Sequence, residues 1–224
     1  MALIEVDRRG DGIAVMRLNR PDKRNALSTE LREIGNELLA ELANDEDVRV
    51  LVVTGAGSVF CAGFDLKEFD TAFADEAFAE RLWASSYVWH RRWIEFSVPT
   101  IAAVNGAALA GGFDVAVMCD LRVVAESASF SHPEIRFGDV VYGPLHDLVG
   151  GAVARDLCFT GRRIDGHEAA RLGLATRLVA DDRVLDEALA LAASIAESPR
   201  STLVRLKQKA VRRSGITQGA TLDL

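Results

Sequence analysis

The chain has 224 residues, with 26 Lys and Arg against 33 Asp and Glu, for a net charge of -7. Nearly half of the residues are hydrophobic and a quarter charged, which excludes a disordered chain and is enough for one sizeable core. The acidic balance argues against nonspecific nucleic-acid binding, which rests on clustered Lys and Arg. The three cysteines, Cys61, Cys119 and Cys158, form no CxxC pair, so neither a disulfide framework nor a zinc site is expected.

From the start, MALIEVDRRGDG meets charge at Glu5 and carries no signal-peptide core, so a cytosolic protein with reduced thiols is expected. Ile4–Asp7 and Ile13–Asn19 flank Gly10-Asp11-Gly12 as a hairpin. Leu31, Ile34, Leu38, Leu39 and Leu42 recur at helical spacing behind Ser28, a suitable N-cap. A buried strand at 50–54 ends in Gly55-Ala56-Gly57. Residues 72–96 are expected to be helical and carry Trp83, Trp89 and Trp93; His90, beside two arginines, is expected to be solvated. Strand 101–104 runs through Asn105-Gly106 to Gly111-Gly112 and a helix over 111–119. Pro99, Asn105, Asp114 and several glycines interrupt this apolar stretch, so it reads as buried strand plus buried helix, not a membrane span. Strands follow at 121–125 and near 128–131, then helices at 145–158, 167–172, 184–197 and 200–213. Strands alternating with helices predict α/β layering, without a linker or internal repeat.

Chemistry concentrates in two glycine-containing segments that each follow a strand. One is Cys61-Ala62-Gly63-Phe64-Asp65; the other runs from Ile101 to Gly112 and opens a helix. The first amides of a helix lack internal partners, and glycine lets a ligand approach the backbone. The N–H groups of Phe64 and Gly111 are therefore candidates for an oxyanion hole, where preorganised donors meet developing charge. The alternative is that these glycines serve only close helix–sheet packing.

The combination of Asn19-Arg20-Pro21, Asn25-Ala26-Leu27, Phe60–Lys67, Ile101–Asp120, Pro133-Glu134-Ile135, Thr160-Gly161-Arg162, Glu168-Ala169-Ala170 and Gly173-Leu174 resembles the crotonase, or enoyl-CoA hydratase/isomerase, family. The resemblance covers roughly residues 3–212 and implies an α/β spiral of ββα units with flanking helices, usually assembled as trimers or hexamers. A core over 1–200 would then be followed by the start of a shortened C-terminal helical region at 201–224. The resemblance also implies a coenzyme A thioester as substrate, no separate cofactor and no metal. Its carbonyl oxygen would sit between the amides of Phe64 and Gly111. Glu134 falls on one of the two acid/base positions of the family's hydratases, and Asp114 occupies the other, where they carry glutamate. A substrate-binding set of Arg24, Ala26, Ala62, Asp65, Leu66, Lys67, Gly112 and Tyr142 is implied, with Lys67, Arg24 and Lys23 meeting phosphates as point charges.

Three departures bear on the reaction. Asp114 draws its carboxylate back by one methylene, about 1.5 Å. Residues 138–150 are shorter than in relatives and bring in Asp139, Tyr142, His146 and Asp147, either as acyl-pocket lining or as a surface loop. The chain ends soon after a helix where relatives continue, which is expected to leave the pocket more open or to shift its cover to a neighbouring subunit. A Trp-His segment in the family's aroyl-CoA dehalogenases also resembles Trp89-His90, with Asp139 a candidate partner. Hydration of a 2,3-unsaturated acyl-CoA is the leading expectation. Isomerisation, hydrolysis or dehalogenation, or thioester binding without efficient catalysis, are the alternatives.

Overall fold

The computed structural model describes residues 2–214. Two sheets organise it. The larger has six strands in the order β1 (Ile4–Arg8), β2 (Ile13–Leu18), β3 (Val50–Gly55), β5 (Thr100–Val104), β7 (Leu121–Ala125) and β10 (Arg177–Val179). Only its β1–β2 hairpin is antiparallel; the remaining neighbours are parallel. The smaller sheet orders β4 (Val59–Cys61), β6 (Ala107–Leu109), β8 (Ser129–Ser131) and β9 (Ile164–Asp165). Here β4, β6 and β8 are parallel and β9 runs antiparallel to β8.

This is the expected ββα arrangement. The consecutive pairs β3/β4, β5/β6 and β7/β8 each place a long first strand in the large sheet and a short second one in the small sheet. β3 and β5 are buried at every residue, which accounts for their near-continuous apolar sequence. Helix α7 (Val184–Ala196) packs across β3, β5 and β7, and helix α1 (Thr29–Asn44) packs against α3 (Glu76–Ile94). Ser28 caps α1 by accepting from the Leu31 N–H at 3.3 Å.

The helical stretch expected over 72–96 is present and is divided at Asp75. α2 (Lys67–Ala74) ends at Asp75, whose extended backbone and side chain cap α3 by accepting from the Phe78 N–H at 3.1 Å. Helices α4 (Gly111–Met118) and α6 (Gly166–Arg171) match their expected places. Helix α5 (Gly143–Thr160) is broken at Gly150, whose φ of 76° no helix permits. The last described helix, α8 (Arg200–Ser214), is tied to the body through Lys207, 2.6 Å from Asp120, and through Arg200, which donates to the carbonyls of Val48 and Ala43. The remainder of the expected C-terminal region, 215–224, lies outside the described residues. No helix among the described residues is long and apolar enough to cross a membrane.

The topology sets the place of the site. β4, β6 and β8 are adjacent and parallel, so their carboxyl ends open on one side. Cys61 leads into Gly63-Phe64, Leu109 into Ala110-Gly111, and Ser131 into His132-Pro133-Glu134. Ligands in α/β proteins collect beyond the carboxyl ends of parallel strands, and the expected catalytic residues all lie there.

Candidate active site

The first amide is set by a short pairing between two loops. Leu27 bridges Phe64 in parallel: its N–H donates to the Gly63 carbonyl at 2.8 Å, and its carbonyl accepts from Asp65 N–H at 3.5 Å. That register uses the groups on either side of Phe64 and turns the Phe64 N–H the other way. A further bond from Ala62 N–H to the Arg24 carbonyl, 3.0 Å, holds 24–27 beside 62–65. Arg20 fastens both strips by donating to the Ala26 carbonyl at 2.6 Å and to Asp65 at 3.0 Å.

The second amide depends on a strained residue. Ala110 has φ 50° and ψ -129°, a conformation costing on the order of 1–3 kcal/mol for a residue with a side chain. It is held there from both sides: its N–H donates to Ser131 at 3.0 Å, and its carbonyl accepts from Phe113 at 2.7 Å and Asp114 at 3.0 Å. The outcome is a Gly111 N–H at the mouth of α4 that has no acceptor among the described residues; the same holds for the Phe64 N–H. The two segments touch, since a Cβ placed on Gly63 would lie 3.1 Å from the Gly111 nitrogen.

Two carboxyls lie beyond these amides, each with a histidine. Asp114, in the first turn of α4, is 6% exposed. Its Oδ2 is 3.6 Å from His90 Nε2, and its Oδ1 is 3.8 Å from His132 Nδ1. Glu134 stands in a 3-10 turn over Pro133–Arg136, with Oε1 2.9 Å from the same His132 nitrogen. His132 is fully buried, its ring stacked on Phe113 at 4.5 Å. Asp114 Oδ1, His132 Nε2 and Glu134 Oε2 are buried without a hydrogen-bond partner among the described residues. Buried polar atoms left open in this way are costly unless a ligand or water meets them. One ligand atom from each of these three residues falls within 4.8 Å of the others, which would also suit a metal ion.

His90 corrects an expectation. It is 2% exposed rather than solvated, because Leu82, Ser85, Ser86, Trp89, His90 and Trp93 form the buried stripe of α3, beside which Arg91 and Arg92 are themselves half-buried. Its ring lies 6.4 Å from that of Phe64. Arg32 was also missed. It takes a buried place in the stripe Arg32, Gly35, Leu39, Leu42 of α1 and donates to the carbonyls of Leu27 and Leu82, to Thr29 and to Ser85. Its guanidinium lies over the Phe64 ring at 4.4 Å, and burial lowers its pKa to about 10.

The remaining expected binding residues divide. Arg24, Lys23 and Lys67 are exposed; Arg24 and Asn25 both adopt left-handed backbone, which turns the chain there. Leu66 is exposed and Ala62 half-buried, whereas Ala26 is buried. Asp65 is committed to Arg20, and Gly112 is needed for packing, since a Cβ there would run into the Cys61 carbonyl. Tyr142 precedes α5, half-buried, with its ring 5.5 Å from His146; no hydrogen bond or ring contact joins it to Asp114 or Glu134 among the described residues. Asp139 is exposed, and the His146–Asp147 pair at 3.6 Å is largely solvated.

All three thiols are free and buried; burial pushes Cys61 and Cys119 up to about 12 and Cys158 up to about 11. Thiolate is the reactive form, so the native protein is expected to resist a disulfide reagent at about pH 8. The urea-unfolded chain should then titrate all three cysteines rapidly. Fast reaction of the folded protein would contradict this burial.

Comparison with known proteins agrees with the geometry. The family model for enoyl-CoA hydratase/isomerase matches residues 8–222. A "Probable enoyl-CoA hydratase echA8" of Mycobacterium bovis is 37% identical over 217 residues, 95% of this chain and 81% of the relative. A "Hydroxycinnamoyl-CoA hydratase-lyase" of Pseudomonas fluorescens is 35% identical over 194 residues, covering 84% and 70%. The crystal structure of an enoyl-CoA hydratase from Bacillus anthracis superposes with a TM-score of 0.88 at 30% identity, covering 99% of this chain and 87% of that one. With the ββα spiral and the family model both spanning nearly its whole length, this chain belongs to the enoyl-CoA hydratase/isomerase (crotonase) family.

Proposed function

We propose that the protein is an enoyl-CoA hydratase that adds water across the 2,3 double bond of an acyl-CoA thioester. The observation that carries this reading is the convergence of two carboxyls, Asp114 and Glu134, on one imidazole nitrogen at 3.8 and 2.9 Å. They stand directly beyond the unpartnered amide that opens α4. Hydration needs that combination. As water's oxygen bonds the β-carbon, the double-bond electrons move onto the thioester oxygen, where the Phe64 and Gly111 amides hold the enolate charge. One carboxyl takes a proton from water while the other side of the site protonates the α-carbon.

Around this centre, Arg24 and Lys67, with Lys23, meet the phosphates of coenzyme A, since all three are exposed cations close to the 24–27 and 62–65 strips. Ala26, Ala62 and Leu66 offer small or exposed surface beside the thioester, Gly112 packs the helix behind it against the Cys61 carbonyl, and Tyr142 lies toward the acyl end. Asp65 acts through Arg20, shaping the loop. Assembly as a trimer or a dimer of trimers in the cytosol completes the reading. Phe73 and Phe159, 89% and 74% exposed, supply apolar surface for it, and light scattering of the purified protein tests it.

The reaction is tested with a panel of 2-enoyl-CoA esters differing in chain length, branching and aromaticity. Loss of the conjugated thioester absorbance together with gain of one water in product mass is the expected result. Exchange of the α-proton with solvent, without net hydration, would turn the reading to isomerase chemistry, which the shorter Asp114 favours. Tight binding with neither outcome would mark a thioester-binding protein.

A further inference from the structure

We propose that Arg32 is a positioning residue for the oxyanion hole, holding the Leu27 strip and the Phe64 ring so that the Phe64 and Gly111 amides stay aimed at one atom. The proposal rests on the oxyanion hole of the reading above, and its test does not require that hydration follow.

Arg32 is a fully buried cation, a placement that ordinarily calls for a carboxylate partner. Among the described residues its hydrogen bonds go to neutral acceptors instead. They are the Leu27 carbonyl, the Leu82 carbonyl at 3.2 Å, Thr29 Oγ1 at 3.2 Å and Ser85 Oγ at 3.1 Å. Glu68 accepts from the N–H and hydroxyl of Thr29, each at 2.8 Å, and so meets Arg32 through that residue. Glu33, the next residue on α1, is held by Arg81 at 2.6 Å. Burial lowers the Arg32 pKa to about 10, and the charge persists at neutral pH. A neutral side chain could tie α1 to α3 at a smaller desolvation cost, so that tie alone does not account for a guanidinium here.

What the guanidinium grips does account for it. The Leu27 carbonyl is the same one that accepts from Asp65 N–H in the bridge that orients Phe64. One N–H of Arg32 therefore anchors the strip that sets the first amide. The flat face of the group lies over the Phe64 ring at 4.4 Å, where cation and ring attract. On the other side of these contacts stands the second amide. A Cβ placed on Gly111 would lie 3.1 Å from Cδ1 and Cε1 of Phe64 and 3.3 Å from Leu27 Cδ1. The two groups that Arg32 holds are thus the surfaces against which Gly111 rests. Arg32, then Leu27 with the Phe64 ring, then Gly111 make three layers from α1 to the mouth of α4. Their thickness sets the gap between the two donors, and a shift of about 1 Å in such a gap can cost on the order of a hundredfold in rate. A planar fork of five donors serves Leu27, Thr29, Leu82, Ser85 and the ring face together; the point charge of a lysine does not.

The test uses a 3-oxoacyl-CoA. Its C2–H bond breaks, the proton passes to solvent, and the electron pair spreads onto the thioester oxygen as an enolate. The enolate is read by its ultraviolet band without any turnover. The parent is expected to lower the apparent pKa of the bound compound. Arg32→Met should reduce the bound enolate-to-neutral ratio by about tenfold, which raises that apparent pKa by about one unit. It should also lower kcat for hydration by about 10- to 100-fold with KM within about threefold. Arg32→Lys should fall between Arg32→Met and the parent in both measurements. A tie between helices would move only the melting temperature. Ser85→Ala shows that behaviour, since it removes one acceptor on α3 and leaves Leu27 and Phe64 in Arg32's grip. A parent-like enolate ratio in folded Arg32→Met overturns the proposal. Should Arg32→Met fail to fold, Arg32→Lys decides: a lowered ratio supports the proposal and a parent-like ratio overturns it. If the parent ionises the 3-oxoacyl thioester but hydrates no enoyl thioester, the hydratase reading fails and the enolate ratio alone decides the role of Arg32. If the parent ionises neither bound nor free compound differently, the oxyanion hole and this proposal fall together.

Discussion

Glu134→Gln is expected to lower the kcat for hydration by about 10²–10⁴, the range that a positioned general acid or base contributes, with KM changed by no more than a few-fold. The amide has the size and shape of the carboxylate, and its oxygen can still accept from His132 Nδ1, now 2.9 Å from Glu134 Oε1. It also meets the pocket with an oxygen or nitrogen where the buried, unpartnered Oε2 now lies. What it cannot do is carry a proton to or from water. The effect therefore belongs on kcat, and the melting temperature should stay close to that of the parent. Initial rates from thioester absorbance, with thermal unfolding as the control, separate this from collapse of the site. An unchanged kcat would remove Glu134 from the chemistry and leave its hydrogen bond to His132 as a feature of the fold.

Five of the six strands of the large sheet were legible, best where they are apolar runs bounded by glycine and proline, as in Val50–Gly55 and Thr100–Val104, whereas the three-residue β10 was not. The small sheet was mostly not. β4, β6 and β9 have two or three residues each, too few to show a period, and they are paired by the turns that carry the site. Backbone amides were legible through glycine, which marks where chain and ligand come close. The side chains behind them were harder to find. His90 and Arg32 look solvated in a window of arginines and glutamates, yet each falls on the stripe that its helix buries. A charged or titratable residue on such a stripe implies a partner, and following that rule would have found both. His132 gave no periodic signal at all. Its burial follows from sitting at the end of β8 under Phe113, a long-range contact that local pattern does not encode.

Gly63→Ala is the substitution that most directly separates the oxyanion hole from mere packing. Gly63 has φ 86°, in the left-handed region that disfavours alanine by on the order of 1–3 kcal/mol. A Cβ there would also stand 2.7 Å from the Ala110 Cβ, 2.8 Å from the Leu109 carbonyl oxygen and 3.1 Å from the Gly111 nitrogen. Those neighbours are backbone and a strained residue already held by Ser131, so the 62–65 strip is the part that must give way. Its movement carries the Phe64 N–H away from Gly111, which amounts to losing one donor. Removal of one oxyanion donor costs about 10²–10³ in kcat. Affinity for an unreactive saturated acyl-CoA should fall much less, because little charge collects on its carbonyl oxygen. Gly112→Ala provides the contrast. Its Cβ meets the Cys61 carbonyl on the packing side of the helix, so it should chiefly lower thermal stability. If Gly63→Ala instead lowers only the melting temperature and leaves kcat at the parent value, the two amides do not act on a common atom, and these glycines serve helix–sheet packing alone.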